Sequence, residues 1–151
     1  MSHLQVVENL QQIRKRIEQA AKACGREVNE IQLIAVSKTK PNEAIETAIR
    51  ANQYAFGENK IQELSRKMDE LSNHDIEWHM IGALQSNKIK YMAHRVDWIH
   101  SIPKIKTLNE VEKRANQHHR VIKCLIQVNI SDEDQKSGCS PDQLPKLLNE
   151  A

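Results

Sequence analysis

Five times along this chain a short apolar run gives way to a segment whose apolar residues recur every three or four positions. That alternation limits the fold more than any other feature. Strands that alternate with helices over short loops pair as parallel neighbours with right-handed crossovers. The runs are Ile31 to Val36, Tyr54 to Phe56, Ile76 to Ile81, Trp98 to Ile102 and Val121 to Ile130. The first is nearly continuous, as expected of a strand covered on both faces. Behind the runs come helical stripes: Ala44, Ile45, Ala48 and Ile49 after Pro41; Ile61, Leu64, Met68 and Leu71; Ile89, Met92 and Val96; Leu108, Val111 and Ala115; and Leu144, Leu147 and Leu148 after a Ser140 cap and Pro141. A further helix leads the chain, capped by Ser2, striped with Leu4, Val7, Leu10, Ile13 and Ile17, and stopped at Gly25. The expected fold is α/β, one leading helix and about five βα units. The pattern leaves open a doubly wound sheet or one rolled toward a barrel.

Length and composition narrow the function. The chain's 151 residues suffice for one domain but fall well short of the roughly 250 of a closed eight-unit βα barrel. With 39% hydrophobic and 28% charged residues, both disorder and a membrane span are disfavoured. The 22 basic and 20 acidic residues leave a formal charge of +2, too little to recruit nucleic acid or an anionic membrane, so anions must be bound locally. Cys24, Cys124 and Cys139 are odd in number and scattered, which fits neither a disulfide framework nor a zinc knuckle. No metal is expected, since His74 and His79 lack a partner set. The N-terminus has no apolar stretch of signal-peptide type, and the cytoplasm is the expected compartment. No linker or composition break divides residues 1–151, which are read as a single domain with no second one. The last residues, LPKLLNEA, read as the middle of a helix without a stop signal, so truncation is expected.

In parallel βα architectures functional groups gather where strands end and helices begin. Lys38 stands just past the first strand. Burial in a low-dielectric mouth there would favour its neutral amine, the form that condenses with carbonyls, whereas most lysines at strand ends are simply solvated. Position alone leaves both readings open.

The surrounding motifs decide the expectation. Ala35-Val36-Ser37-Lys38-Thr39 resembles the lysine segment of the pyridoxal-phosphate homeostasis proteins, a family related to the N-terminal barrel of alanine racemase. Phe56-Gly57-Glu58-Asn59 with Gln62-Glu63 is similar to the family's second-strand motif. Trp78-His79-Met80-Ile81-Gly82 with Leu84-Gln85-Ser86-Asn87-Lys88 is similar to the third, Ile99-His100-Ser101 to the fourth, and Val128-Asn129-Ile130 with Lys136-Ser137-Gly138 to the fifth. The five blocks run in order through the whole chain at the spacing of βα units.

This resemblance implies a TIM-like barrel of the alanine racemase N-terminal type, here incomplete, with pyridoxal 5'-phosphate held as a Schiff base on Lys38. It implies a carrier or regulator of the free cofactor and no established reaction. Asn59, His79 and Asn129 fall on matching motif positions and would line the mouth around the ring. Asn59 also reads as a helix N-cap, His79 as a satisfied core histidine, and Asn129 as a structural hydrogen-bonder. Ser86, Asn87 and Lys136 are secondary candidates, with Ser86 or Asn87 as a helix cap the plainer account.

The departures lie mainly at the C-terminus. The family has three further βα units, whose loops hold the phosphate, and none is in this chain. Five units leave open strand edges, so self-association through them is expected. Lys60 stands where the family commonly has an aromatic, and Ala83 where proline is common. The alternatives are a fold-type-III amino-acid racemase-like enzyme, which needs an acid/base opposite Lys38 that neither Tyr54 nor Tyr91 supplies, and a structural fragment that binds no small molecule.

Overall fold

A computed structural model describes residues 2–131 and 137–151. Helix α1 (His3–Ala23) leads, with the Ser2 hydroxyl accepting the Gln5 N–H at its start and Gly25, at φ +68°, just past its end. There follow β1 (Ala35–Val36), α2 (Asn42–Arg50), β2 (Ala55–Glu58), α3 (Ile61–Glu70), β3 (Glu77–Met80), a 3-10 helix over Ser86–Tyr91, β4 (Trp98–Ile102), α4 (Ile105–Gln117) and β5 (Lys123–Ile126). A 3-10 turn over Pro141–Gln143 then leads into α5 (Leu144–Glu150).

The five strands form one parallel sheet in the order β1-β2-β3-β4-β5. A doubly wound sheet reverses its strand order at a switch point, whereas here each strand lies beside its successor throughout. The sheet is therefore of the rolled kind, an incomplete TIM-like barrel.

Strand side chains alternate between two faces. Phe56 on β2, Trp78 and Met80 on β3 and Ile99 on β4 turn to the helices, where they join Ile45 of α2, Leu64 and Met68 of α3, Ile89 and Met92, and Val111 of α4 in one buried core. The opposite, concave face carries Ile34 and Val36, then Gly57, His79, Trp98 and His100, then Lys123 and Leu125. Val36 is 51% exposed there and Leu125 46%.

Several local expectations are corrected. The first strand keeps only Ala35–Val36 of its apolar run, because as an edge it has a ladder partner on one side alone. The fifth keeps only Lys123–Ile126. Ile89, Met92 and Val96 are buried as predicted, but on a 3-10 helix and the turn after it, not an α-helix. Pro41 is the N-cap of α2, one position before its first turn. At the Ser140 cap, the Gln143 side chain accepts the Ser140 N–H, as in a capping box.

Candidate functional site

The residues expected to form the site, Lys38, Asn59 and His79, lie toward the C-terminal ends of β1, β2 and β3. Register places Val36, Gly57, His79 and Trp98 in one row across β1 to β4. Lys38 and Asn59 follow two residues beyond Val36 and Gly57, just past the ends of β1 and β2. Gly57 keeps the row flat. A Cβ on it would meet Ile81 and Ile34 at 3.2–3.3 Å.

Lys38 is exposed, the solvated of the two readings that its position left open, and Val36 before it on β1 is 51% exposed. What the fold does constrain is the backbone on either side of it. Ser37 N–H extends the ladder to Gly57 O at 3.0 Å, and Lys40 N–H closes a turn onto Ser37 O at 3.0 Å, with Thr39 left-handed at φ +62°.

Behind this turn, on the helix side, lies a charged cluster. Lys67 and Glu58 are wholly buried, and Glu63 is 17% exposed. The Lys67 ammonium donates to Ser37 O at 2.7 Å, Glu58 Oε1 at 2.7 Å and Glu63 Oε1 at 2.8 Å. The Ser37 hydroxyl donates to Glu58 Oε1 at 2.6 Å, and Thr39 N–H to Glu63 Oε1 at 2.7 Å. Burial raises the pKa of Glu63, but the Lys67 and Thr39 hydrogen bonds outweigh it and hold the carboxyl below its ordinary 4.5. Sequence reasoning missed Lys67. A Glu and a Lys four apart on a helix read as a solvated pair. The available signal was Lys67's place within the inward stripe Ile61, Leu64, Met68 and Leu71.

His79 has both ring nitrogens engaged, Nε2 with Glu77 Oε1 at 2.7 Å and Nδ1 with His100 Nε2 at 2.9 Å. Its ring stacks on Trp98 with centroids 5.9 Å apart and planes 5° from parallel, and Lys123 Nζ stands 4.9 Å over that indole. Burial, then the neighbouring His79, lowers the pKa of His100. The result is an aromatic cluster in which His100 stands edge-on to the stacked His79 and Trp98, with His79 itself buried.

Asn59 does not cap α3. Lys60 holds the cap position without a side-chain bond, while the Asn59 backbone packs so closely on Gly82 that a Cβ there would lie 2.1 Å from Asn59 O. Ser86 and Asn87 are not caps either: Gln85 holds that position, and both side chains are exposed. A cavity of about 310 Å³ beside Asn59 is lined by Gln62, Gln85 and Lys88 and includes neither of them. Asn129 belongs to another pocket, with Gln127 and Ser131, and its N–H donates to Cys139 O at 2.8 Å. Lys136 lies outside the described residues. A larger cavity of about 990 Å³ opens at the opposite end of the sheet, but Arg14 there is spent on Ala51 O, Asn52 O and Gln53 Oε1.

A sequence profile of the alanine racemase N-terminal domain matches residues 9–151, and the chain belongs to that family. Within it, the curated relatives share their name as well as their sequence. The chain is 43% identical over 145 residues to the pyridoxal phosphate homeostasis protein of Escherichia coli K12, covering 94% of this chain, and 38% identical to that of Aquifex aeolicus. It spans 62% of the length of both. Among solved structures, an unknown protein from Bifidobacterium adolescentis superposes with TM-score 0.89 at 30% identity, over 98% of this chain and 64% of that one. PipY of Synechococcus elongatus, solved with PLP bound, superposes with TM-score 0.72 at 34% identity, over 89% and 65%.

Proposed function

We propose that this chain is the lysine-bearing part of a pyridoxal-phosphate homeostasis protein and that Lys38 holds the cofactor as a Schiff base. The observation that carries the reading is the placement of Lys38: an exposed lysine just past the end of β1, on a backbone turn fixed from behind, at the same end of the sheet as His79 and His100. An accessible amine suits the aldehyde, and the part-exposed rings of Trp98 and His100 suit an aromatic ligand. Bound there, the cofactor supplies an electrophilic carbon conjugated to the ring.

Asn59 borders the mouth from β2. His79 acts from behind, orienting His100 through their shared hydrogen bond, because neither of its own nitrogens is free. Asn129, Ser86, Asn87 and Lys136 are secondary members of the mouth in this reading. The protein acts as a carrier and not a catalyst. In support, Tyr54 precedes β2 at the far end of the sheet, and Tyr91 is half exposed beneath the Lys90 ammonium, so neither is placed as a second acid/base. Residues 1–151 form one folding unit in this reading, working in the cytoplasm without nucleic-acid or membrane partners. No helix among the described residues is long and apolar enough to cross a membrane. Val36, Val121, Leu125 and Ile130 are exposed apolar groups that support self-association.

Titration with pyridoxal phosphate, followed by visible absorbance, tests the reading. A saturable band present in the unaltered chain and absent from Lys38→Ala is expected. An identical band in both removes Lys38 from the site.

A further inference from the structure

The lysine turn is strained and clamped at once. Thr39 is β-branched and left-handed, a conformation that disfavours such a residue by about 1–2 kcal/mol in isolation. Something must oppose that preference. The residues on both sides of Lys38 are gripped by one network: Ser37 through its carbonyl and its hydroxyl, Thr39 through its N–H. The grip reaches the turn from two separate elements, Glu58 from the end of β2 and Glu63 with Lys67 from α3. All three Lys67 ammonium protons are used, and two of the acceptors are the carboxylates that hold Ser37 and Thr39.

Such a cluster is an expensive way to stabilise a core. A buried ion pair of this kind seldom exceeds what a well-packed apolar group would contribute. Glu58 Oε2 even remains without a hydrogen-bond partner. What the cluster achieves and apolar packing cannot is directional: it hydrogen-bonds the particular backbone atoms that flank Lys38, Ser37 O and Thr39 N–H.

We propose that Glu58, Glu63 and Lys67 are positioning residues for Lys38, a buried brace that holds the Ser37–Lys40 turn so that the amine projects onto the concave face. This rests on Lys38 being the cofactor lysine. The brace acts through the backbone and touches no cofactor. Lys67 ties the two carboxylates together, and Glu63 holds the left-handed Thr39 amide.

The test uses Glu63→Ala and Glu63→Gln, because Glu63 reaches solvent and its loss strands no fully buried charge. Folding is followed in parallel by circular dichroism. The first readout needs no cofactor: amide hydrogen exchange at Thr39 is expected to be slow in the unaltered chain and about tenfold faster in Glu63→Ala. Glu63→Gln keeps an oxygen for the Thr39 N–H and is expected to stay slow. The second readout is borohydride trapping of pyridoxal phosphate, scored as adduct at Lys38 relative to adduct at the exposed Lys15. That ratio is expected to fall about tenfold in Glu63→Ala and to recover in Glu63→Gln. An unchanged ratio in folded Glu63→Ala overturns the inference alone, as does unchanged Thr39 exchange. No adduct at Lys38 in the unaltered chain overturns the cofactor reading and the inference with it.

Discussion

The two faces of the sheet solve different problems with the same strands. Toward the helices, Phe56, Trp78, Met80 and Ile99 are at most 2% exposed, and even the charges of Glu58 and Lys67 are shut away from water. Toward the concavity, Val36 and Leu125 are half exposed, glycine takes the β2 place in the row, and polar groups run in sequence: the Gln32 amide donates to Glu77, Glu77 meets His79, and His79 meets His100. The helix-side face fixes where the backbone goes. The concave face leaves Val36, Lys123 and Leu125 to solvent, so a substitution's effect depends on which way its side chain points.

The contrast is sharpest at the buried brace. Lys67→Met leaves Glu58 buried without a counter-charge, and denaturant unfolding is expected to show a loss of about 3–5 kcal/mol. Val36→Ala on the concave face is expected to cost under about 1 kcal/mol in the same assay. Equal losses would erase the distinction between the faces. Gly82→Ala comes next. Its Cβ would collide with the Asn59 backbone, and a loss of about 1–3 kcal/mol is expected in thermal melts, with Asn59 displaced from the mouth.

Acidification probes the concave face. The pKa of His100 in the fold lies below the ordinary 6.5, so the unfolded chain takes up its proton first. The associated stability is present above pH 6.5 and is lost as pH falls through that value to the folded pKa. Melting temperature is expected to decline on acidification over that window, and His100→Gln to flatten the decline; an unchanged slope would show that another group governs it. The smallest effect concerns thiols. Burial pushes the Cys124 thiol up to about 11, whereas Cys24 is exposed, so alkylation near neutral pH is expected at Cys24 well before Cys124. Faster labelling of Cys124 would mean that β5 opens to solvent.

Much of this was legible in the sequence where burial is complete and much less where it is partial. Trp98–Ile102 is a strand to the residue as read, because a central strand has ladder partners on both sides. The edge runs shrink for want of them. The order of the strands was not legible, since periodicity reports which face is buried and not which strand lies alongside. Lys38 was singled out through its motif and its position after an apolar run, but whether it is buried or solvated was not legible, because a strand-end residue faces whatever the third dimension supplies. Asn59, Ser86 and Asn87 read as caps because their residue types favour that role; the fold starts each helix one or two residues away. The brace was hidden for the opposite reason: Glu58, Glu63 and Lys67 are charged types that sequence rules assign to the surface, and only their convergence from β2 and α3 takes them inside.

One experiment bears on the centre of this account more directly than the others. The unaltered chain is loaded with pyridoxal phosphate, reduced with borohydride, digested and mapped by mass spectrometry. The predicted result is a dominant adduct on the peptide carrying Lys38, assigned by fragmentation to that lysine and not to Lys40. Adduct concentrated at Lys40 or Lys60, or shared evenly among the exposed lysines, would contradict it.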